Sequence, residues 1–157
     1  MNKIHAGMHK SRCARAPHPV LFIDGTPLEK WIKGVTFEID GTDTSDGLVP
    51  AQGWLIDEQD LETAWRLLDP RSEHASTVTP ILVCPDDMEM SCTVAVVEQV
   101  IDEKTVSWIR TGRAVDTIRG VVTSVEWTHP YQTAKFNKEE FLKAFNELKH
   151  LTENSWS

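Results

Sequence analysis

The sequence predicts an α+β domain, in which an antiparallel sheet of about four to six strands carries two main helices packed on one face. Residues 79 to 127 are rich in β-branched residues with strand-like alternation. Two other segments repeat apolar residues at the spacing i, i+3, i+4 and i+7, which is typical of an amphipathic helix. With 157 residues, 40% of them hydrophobic, the chain is long enough to bury a core without a metal or a disulfide.

The chain is expected to have three parts. Residues 1–18 hold four of the 16 basic residues and none of the 24 acidic ones, and nothing apolar anchors them, so we expect a flexible basic N-terminal arm. This arm lacks the apolar stretch of a secretory signal. Residues 19–150 are expected to form a single α+β domain, followed by a mostly polar C-terminal tail over residues 151–157.

Short elements open the domain. The apolar run 20–23 predicts a strand that ends in a turn at Asp24 and Gly25. A small helix follows, with Thr26 and Pro27 at its start. Residues 35–39 alternate as a half-buried strand does, and the Asp-rich and Gly-rich segment 40–47 predicts a loop. The acids of that loop do not have the spacing of a calcium loop, so we expect no metal there.

Two long helices carry the clearest periodicity. The first is expected to begin near Asp57, which can cap it, and to end at Asp69 and Pro70. Its expected core face consists of Leu61, Ala64, Trp65 and Leu68. The second is expected to run from Asn137 to about Lys149, and its expected core face consists of Phe141, Phe145 and Leu148.

Between the helices we expect four consecutive antiparallel strands, at residues 79–84, 92–101, 105–111 and 120–127. Residues 102–104 fit a tight hairpin turn, and residues 112–119 are expected to form a longer return.

The chain contains three cysteines, an odd number, and this count without a secretory signal favours a reducing, cytoplasmic location. Cys84 and Cys92 end and begin neighbouring predicted strands, so we expect them to face each other across a hairpin. Two reduced, buried thiols are the expectation, and a redox-active pair is the alternative.

No nucleotide-binding or hydrolase motif occurs in the sequence, so no cofactor is expected. His5, His9 and Cys13 are spaced four residues apart, which would align three metal ligands only on a helix, and we expect no metal site. His74 and His129 are expected in surface loops, where either could line a cleft. An enzyme that uses Cys84, Asp86 or His129 remains an open alternative.

The formal net charge is −8, and without the first 18 residues it is −12. Such a surface repels nucleic-acid phosphates and anionic lipids and attracts basic proteins. No stretch approaches the roughly 20 apolar residues of a membrane-spanning helix. We therefore expect a basic protein partner, with no nucleic acid and no membrane, and the sequence leaves open whether the chain forms a homo-oligomer.

Six tryptophans beside a single tyrosine exceed what an ordinary core needs. Trp54 is the candidate for an exposed anchor, because it precedes an acidic helix start; the acids are Asp57, Glu58, Asp60 and Glu62. The sequence thus favours a noncatalytic acidic protein-binding domain, for instance an immunity or inhibitor protein for a basic partner. The alternative is a small-molecule-binding α+β domain with a Trp-lined pocket.

Overall fold

The computed structural model describes residues 1–71 and 75–155, and within them the chain forms eleven strands and four helices. The strands are β1 (Ile4–His9), β2 (His18–Ile23), β3 (Thr26–Pro27), β4 (Phe37–Ile39), β5 (Thr42–Thr44), β6 (Val49–Pro50), β7 (Ser76–Val83), β8 (Val94–Ile101), β9 (Thr105–Ile118), β10 (Val121–Trp127) and β11 (Ala134–Asn137). The helices are α1 (Leu28–Trp31), α2 (Ala51–Trp54), α3 (Glu58–Leu68) and α4 (Lys138–Ser155).

The largest sheet has six strands in the order β10-β9-β8-β7-β6, with β11 paired to the first part of β9. All of its pairings are antiparallel. The expected meander over residues 79–127 is therefore confirmed. Alternate residues of β8 enter different core clusters, Val96 one and Val97 the other, so both faces of this strand are covered.

The expected long return over residues 112–119 is wrong, because β9 continues to Ile118. Gly112 lies within this strand, where a Cβ would come within 2.5 Å of the Glu126 carbonyl oxygen on β10. Glycine here permits a close approach of two backbones and does not end the strand. The chain turns only at Arg119 and Gly120, whose φ angles of 51° and 80° match the twist of a two-residue hairpin.

The expected flexible arm over residues 1–18 is also wrong, since β1 pairs with β2 from Ile4 opposite Ile23 to His9 opposite His18. The Asp24 carboxylate holds the start of this strand by accepting hydrogen bonds from Asn2 Nδ2 at 2.7 Å and from Lys3 N at 2.8 Å. Strand pairing needs backbone groups and a neighbouring edge, which β2 supplies, so the polar composition of the segment does not prevent it.

The fold contains two further sheets, β1-β2-β3 and the β4-β5 hairpin, within the described ranges. The second of these places residues 42–44 in a strand where the sequence predicts a loop. Helix α3 packs against β7, whereas α4 lies mainly against β1 and β2 and also contacts β11. The two helices thus lie mainly against different sheets, and they meet where the Trp65 ring of α3 packs edge-on against the Phe145 ring of α4, with centroids 5.6 Å apart.

The starts of α3 and α4 agree with their expected caps, whereas Thr26 and Pro27 form β3 and no side chain caps α1. The Asp57 carboxylate accepts a hydrogen bond from Asp60 N at 2.9 Å, and the Asn137 side chain accepts one from Glu140 N at 3.0 Å. Helix α4 continues to Ser155, so the expected tail is helical over residues 151–155, because no glycine or proline interrupts the segment. Residues 156 and 157 of that tail lie outside the described residues.

Trp108 lies at the centre of the larger core cluster and is fully buried. Its ring packs edge-on against Phe136 and Phe141, with centroids 5.2 Å and 6.1 Å away. Its Nε1 donates a 2.9 Å hydrogen bond to Gln99 Oε1, and Gln99 Nε2 donates in turn to the carbonyl of Leu68 at the end of α3. These hydrogen bonds connect the end of α3 to the six-stranded sheet.

Candidate functional site

The acidic residues expected at the surface lie on the first two turns of α3. Asp57, Glu58 and Glu62 are exposed and Asp60 is partly buried. Together with Glu89, which lies in the loop between β7 and β8, we call these residues the acidic patch. Within the described part of the chain, no lysine, arginine or histidine lies within 4 Å of any patch carboxylate.

The β7–β8 loop joins the patch because its backbone contacts Ile56, which precedes the N-cap residue of α3. Ile56 N donates a 3.2 Å hydrogen bond to the carbonyl of Met88. Burial raises the pKa of Asp60, and the negative charges of Asp57 and Glu89 raise that pKa further. The carboxylates of two distant segments therefore act on one another at a single surface.

Apolar side chains are exposed near the patch. Ile56, which precedes it, is 63% exposed. The β9–β10 turn lies against α3, since a Cβ on Gly120 would be 2.9 Å from Asp60 Oδ1. On either side of that turn Ile118 is 64% exposed and Val121 46% exposed. Exposed apolar side chains therefore lie beside carboxylates that have no cationic partner among the described residues.

Trp54 is partly buried at the end of α2, and its ring meets the His18 ring edge-on with centroids 5.5 Å apart. The structure therefore places it against the segment between β1 and β2, and it packs on the smaller core cluster as well. It is neither the freely exposed anchor that the sequence predicts nor a fully buried core residue.

Beside Trp54 lies a half-open cleft of about 440 Å³. Its lining consists of residues 13–19 together with Trp54, Pro85 and Ser155. Most of these side chains are apolar, and Arg15 brings a cation to them. The sequence does not indicate this cleft, because residues 13–17 lie in the loop between β1 and β2 and line it only when those two strands pair.

Cys84 and Cys92 lie with their Cα atoms 6.1 Å apart and are joined in a disulfide. The two cysteines are therefore close together, as predicted, but they are bonded to each other and are not two free thiols. Cys84 is 2% exposed, and its backbone N–H donates to the carbonyl of Thr93 at 2.9 Å, just beyond the last β7–β8 pair of Val83 and Val94. The disulfide closes the loop that carries Glu89 and Met88. Cys13 is free and exposed.

A buried carboxylate that the sequence did not single out lies on α1. The side chain of Glu29 is fully buried, and its Oε2 has no hydrogen-bond partner in the described part of the chain. His9 Nε2, on β1, lies 2.9 Å from Oε1. Burial raises the pKa of Glu29 to about 7, while burial and the nearby Lys30 charge lower the pKa of His9. Both shifts favour the uncharged forms.

The remaining candidate ligands do not assemble into a site. Among residues 1–71 and 75–155, no three His, Cys, Asp or Glu side chains are placed to hold a metal. The His5 ring stacks on Phe22 with centroids 4.9 Å apart, and His129 packs beside Tyr131. His74 lies outside the described residues. None of the helices described is long and apolar enough to cross a membrane.

Comparison with protein-family models, curated proteins and solved structures finds no match to this chain.

Proposed function

We propose that this chain is a noncatalytic protein-binding domain that docks on a basic protein partner, in the manner of an immunity or inhibitor protein. The observation that carries the proposal is the convergence of the first turns of α3 and the β7–β8 loop into one acidic patch whose carboxylates have no cationic partner within the described residues. Lysine or arginine side chains of a partner would relieve this repulsion.

Attraction between charges does not by itself bury contact area. The exposed apolar side chains around the acidic patch supply that area. Ile56, Ile118 and Val121 could be buried by a partner whose basic groups face the acids. Arg119 lies in the β9–β10 turn and is exposed, so it partly offsets the charge at one side of the surface. The expected partner therefore combines an apolar centre with a basic rim.

The experiment starts from a partner captured on the immobilised chain from extracts of its native host, then purified. Association and dissociation rates are measured for the wild type and for the double variant Glu58→Lys, Glu62→Lys. We expect association to slow about tenfold and the wild-type rate to fall as salt rises, because long-range attraction acts mainly on encounter. Ile56→Ala should mainly speed dissociation, because this exposed side chain lies beside the acidic patch.

The matched control is Glu139→Lys, Glu147→Lys on α4. Both of its residues are exposed, one lies in the first turn of its helix as Glu58 does in α3, and the change in net charge is the same. This control should associate at nearly the wild-type rate. If both double variants slow association equally, the effect comes from the overall net charge, and the proposed binding surface is wrong.

A second candidate function is small-molecule binding in the cleft beside Trp54. The specific observation that favours it is the volume of about 440 Å³, which lies within the range of pockets that hold small ligands. Trp54 lines this space together with three prolines and two alanines. The two candidates use different surfaces, so each can be tested without the other.

A further inference from the structure

The cleft beside Trp54 combines apolar walls with one unpaired cationic side chain. Trp54, Pro17, Pro19 and Pro85 provide most of the bulky apolar lining. Arg15 also lines the cleft and is exposed, and no carboxylate of the described residues lies within 4 Å of its guanidinium group. An unpaired guanidinium beside apolar surface is suited to a planar or tetrahedral anion.

The other polar groups of the lining do not cancel this charge. His18 is 4% exposed, its Nε2 accepts a 3.3 Å hydrogen bond from Ser11 N, and its Nδ1 lies 3.2 Å from the carbonyl of Pro19. Both ring nitrogens are thus occupied, and burial lowers the pKa of His18. Arg15 is the one other basic or acidic residue among the described lining residues, so they carry its single positive charge.

The position of the cleft in the sequence also favours an anion. Seven of its lining residues come from residues 13–19, within the first 23 residues of the chain, which contain no acidic residue. Arg12, just before that stretch, lies 3.9 Å from Asp40, whereas the Arg15 charge remains available to a ligand. A locally basic wall thus stands in a protein whose net charge is −8.

We infer that this cleft binds a small apolar molecule that carries one anionic group, such as an aromatic or alkyl carboxylate or sulfonate. The apolar body lies against Trp54 and the prolines, and the anion lies at Arg15. This inference rests on the second proposed function and adds the chemical class of the ligand.

The test uses two dyes that share one ring skeleton and differ in a sulfonate: 1-anilinonaphthalene-8-sulfonate and the neutral N-phenyl-1-naphthylamine. Each is titrated into the full chain and its fluorescence gives a dissociation constant. We expect Arg15→Ala to weaken binding of the sulfonate dye about fivefold and to leave the neutral dye unchanged, because only the charged contact is lost. Arg12→Ala is the matched control and should affect neither dye.

Trp54→Phe and Trp54→Ala should weaken both dyes, since the ring contacts the apolar body that the dyes share. Trp54→Phe keeps a ring in the core if Trp54→Ala fails to fold, and circular dichroism reports which variants are folded. If neither dye binds, or if both Trp54 variants bind like the wild type, the small-molecule function itself is refuted. If both dyes bind in the cleft but Arg15→Ala weakens them equally or not at all, only the anionic class of the ligand is refuted.

Discussion

Replacing Glu29 with glutamine should stabilise this protein above neutral pH. The folded chain holds the Glu29 carboxyl away from water; His9 Nε2 lies 2.9 Å from Oε1, and Oε2 has no hydrogen-bond partner among the described residues. A group whose pKa rises from 4.5 in the unfolded chain to about 7 in the folded one destabilises the ionised folded state by about 3 kcal/mol. Glutamine has nearly the same shape and carries no charge.

The direction of the pH dependence follows from which state binds the proton more tightly. Between pH 4.5 and about 7 the folded chain keeps a proton on Glu29 that the unfolded chain releases. The free energy of unfolding of the wild type therefore falls as pH rises from 4.5 to about 7, and the full destabilisation by the ionised Glu29 is present above that range. His9, Lys30 and Asp46 are the charged or titratable groups near Glu29, and all three are retained in the variant.

The assay is urea unfolding of the wild type and Glu29→Gln at several pH values from 4.5 to 8. The difference in the free energy of unfolding should be smallest at pH 4.5 and should grow by up to about 3 kcal/mol at pH 8 in favour of the variant. Glu139→Gln, at an exposed site on α4, should follow the wild type throughout. A difference for Glu29→Gln that stays constant with pH would refute the assignment of a raised pKa.

Two further substitutions test the packing of the sheet. Trp108→Phe leaves the buried Gln99 Oε1 without its donor and opens space in the core, so urea unfolding should show a loss of about 2–4 kcal/mol; a loss below about 1 kcal/mol would contradict this. Gly112→Ala places a Cβ against the β10 backbone and should cost more than about 2 kcal/mol. Gly7→Ala in β1 meets only the Phe22 ring, at 3.2 Å, and should cost less; equal losses would show that backbone crowding is not the cause.

The sequence by itself determines the elements that depend on contacts within a turn or along one strand. Asp57 and Asn137 cap α3 and α4 where the sequence predicts, because capping joins a side chain to a backbone amide three residues away. Phe141 and Phe145 are buried as their helical spacing predicts. The strands between residues 79 and 127 follow from their alternation in the same way.

Tertiary structure alone decides the features that depend on residues far apart in the chain. Residues 4–9 form a strand because they pair with the edge of β2. Gly112 lies within a strand, and not in a turn, because the β10 backbone lies close beside it. The candidate sites also depend on contacts between distant segments. The acidic patch forms only when the β7–β8 loop lies beside α3, and the cleft forms only when residues 13–19 lie beside Trp54. Glu29 is buried by elements outside its own short helix. Desolvation and the field of neighbouring charges are set by distances in space, and these become defined only when distant segments of the chain pack together.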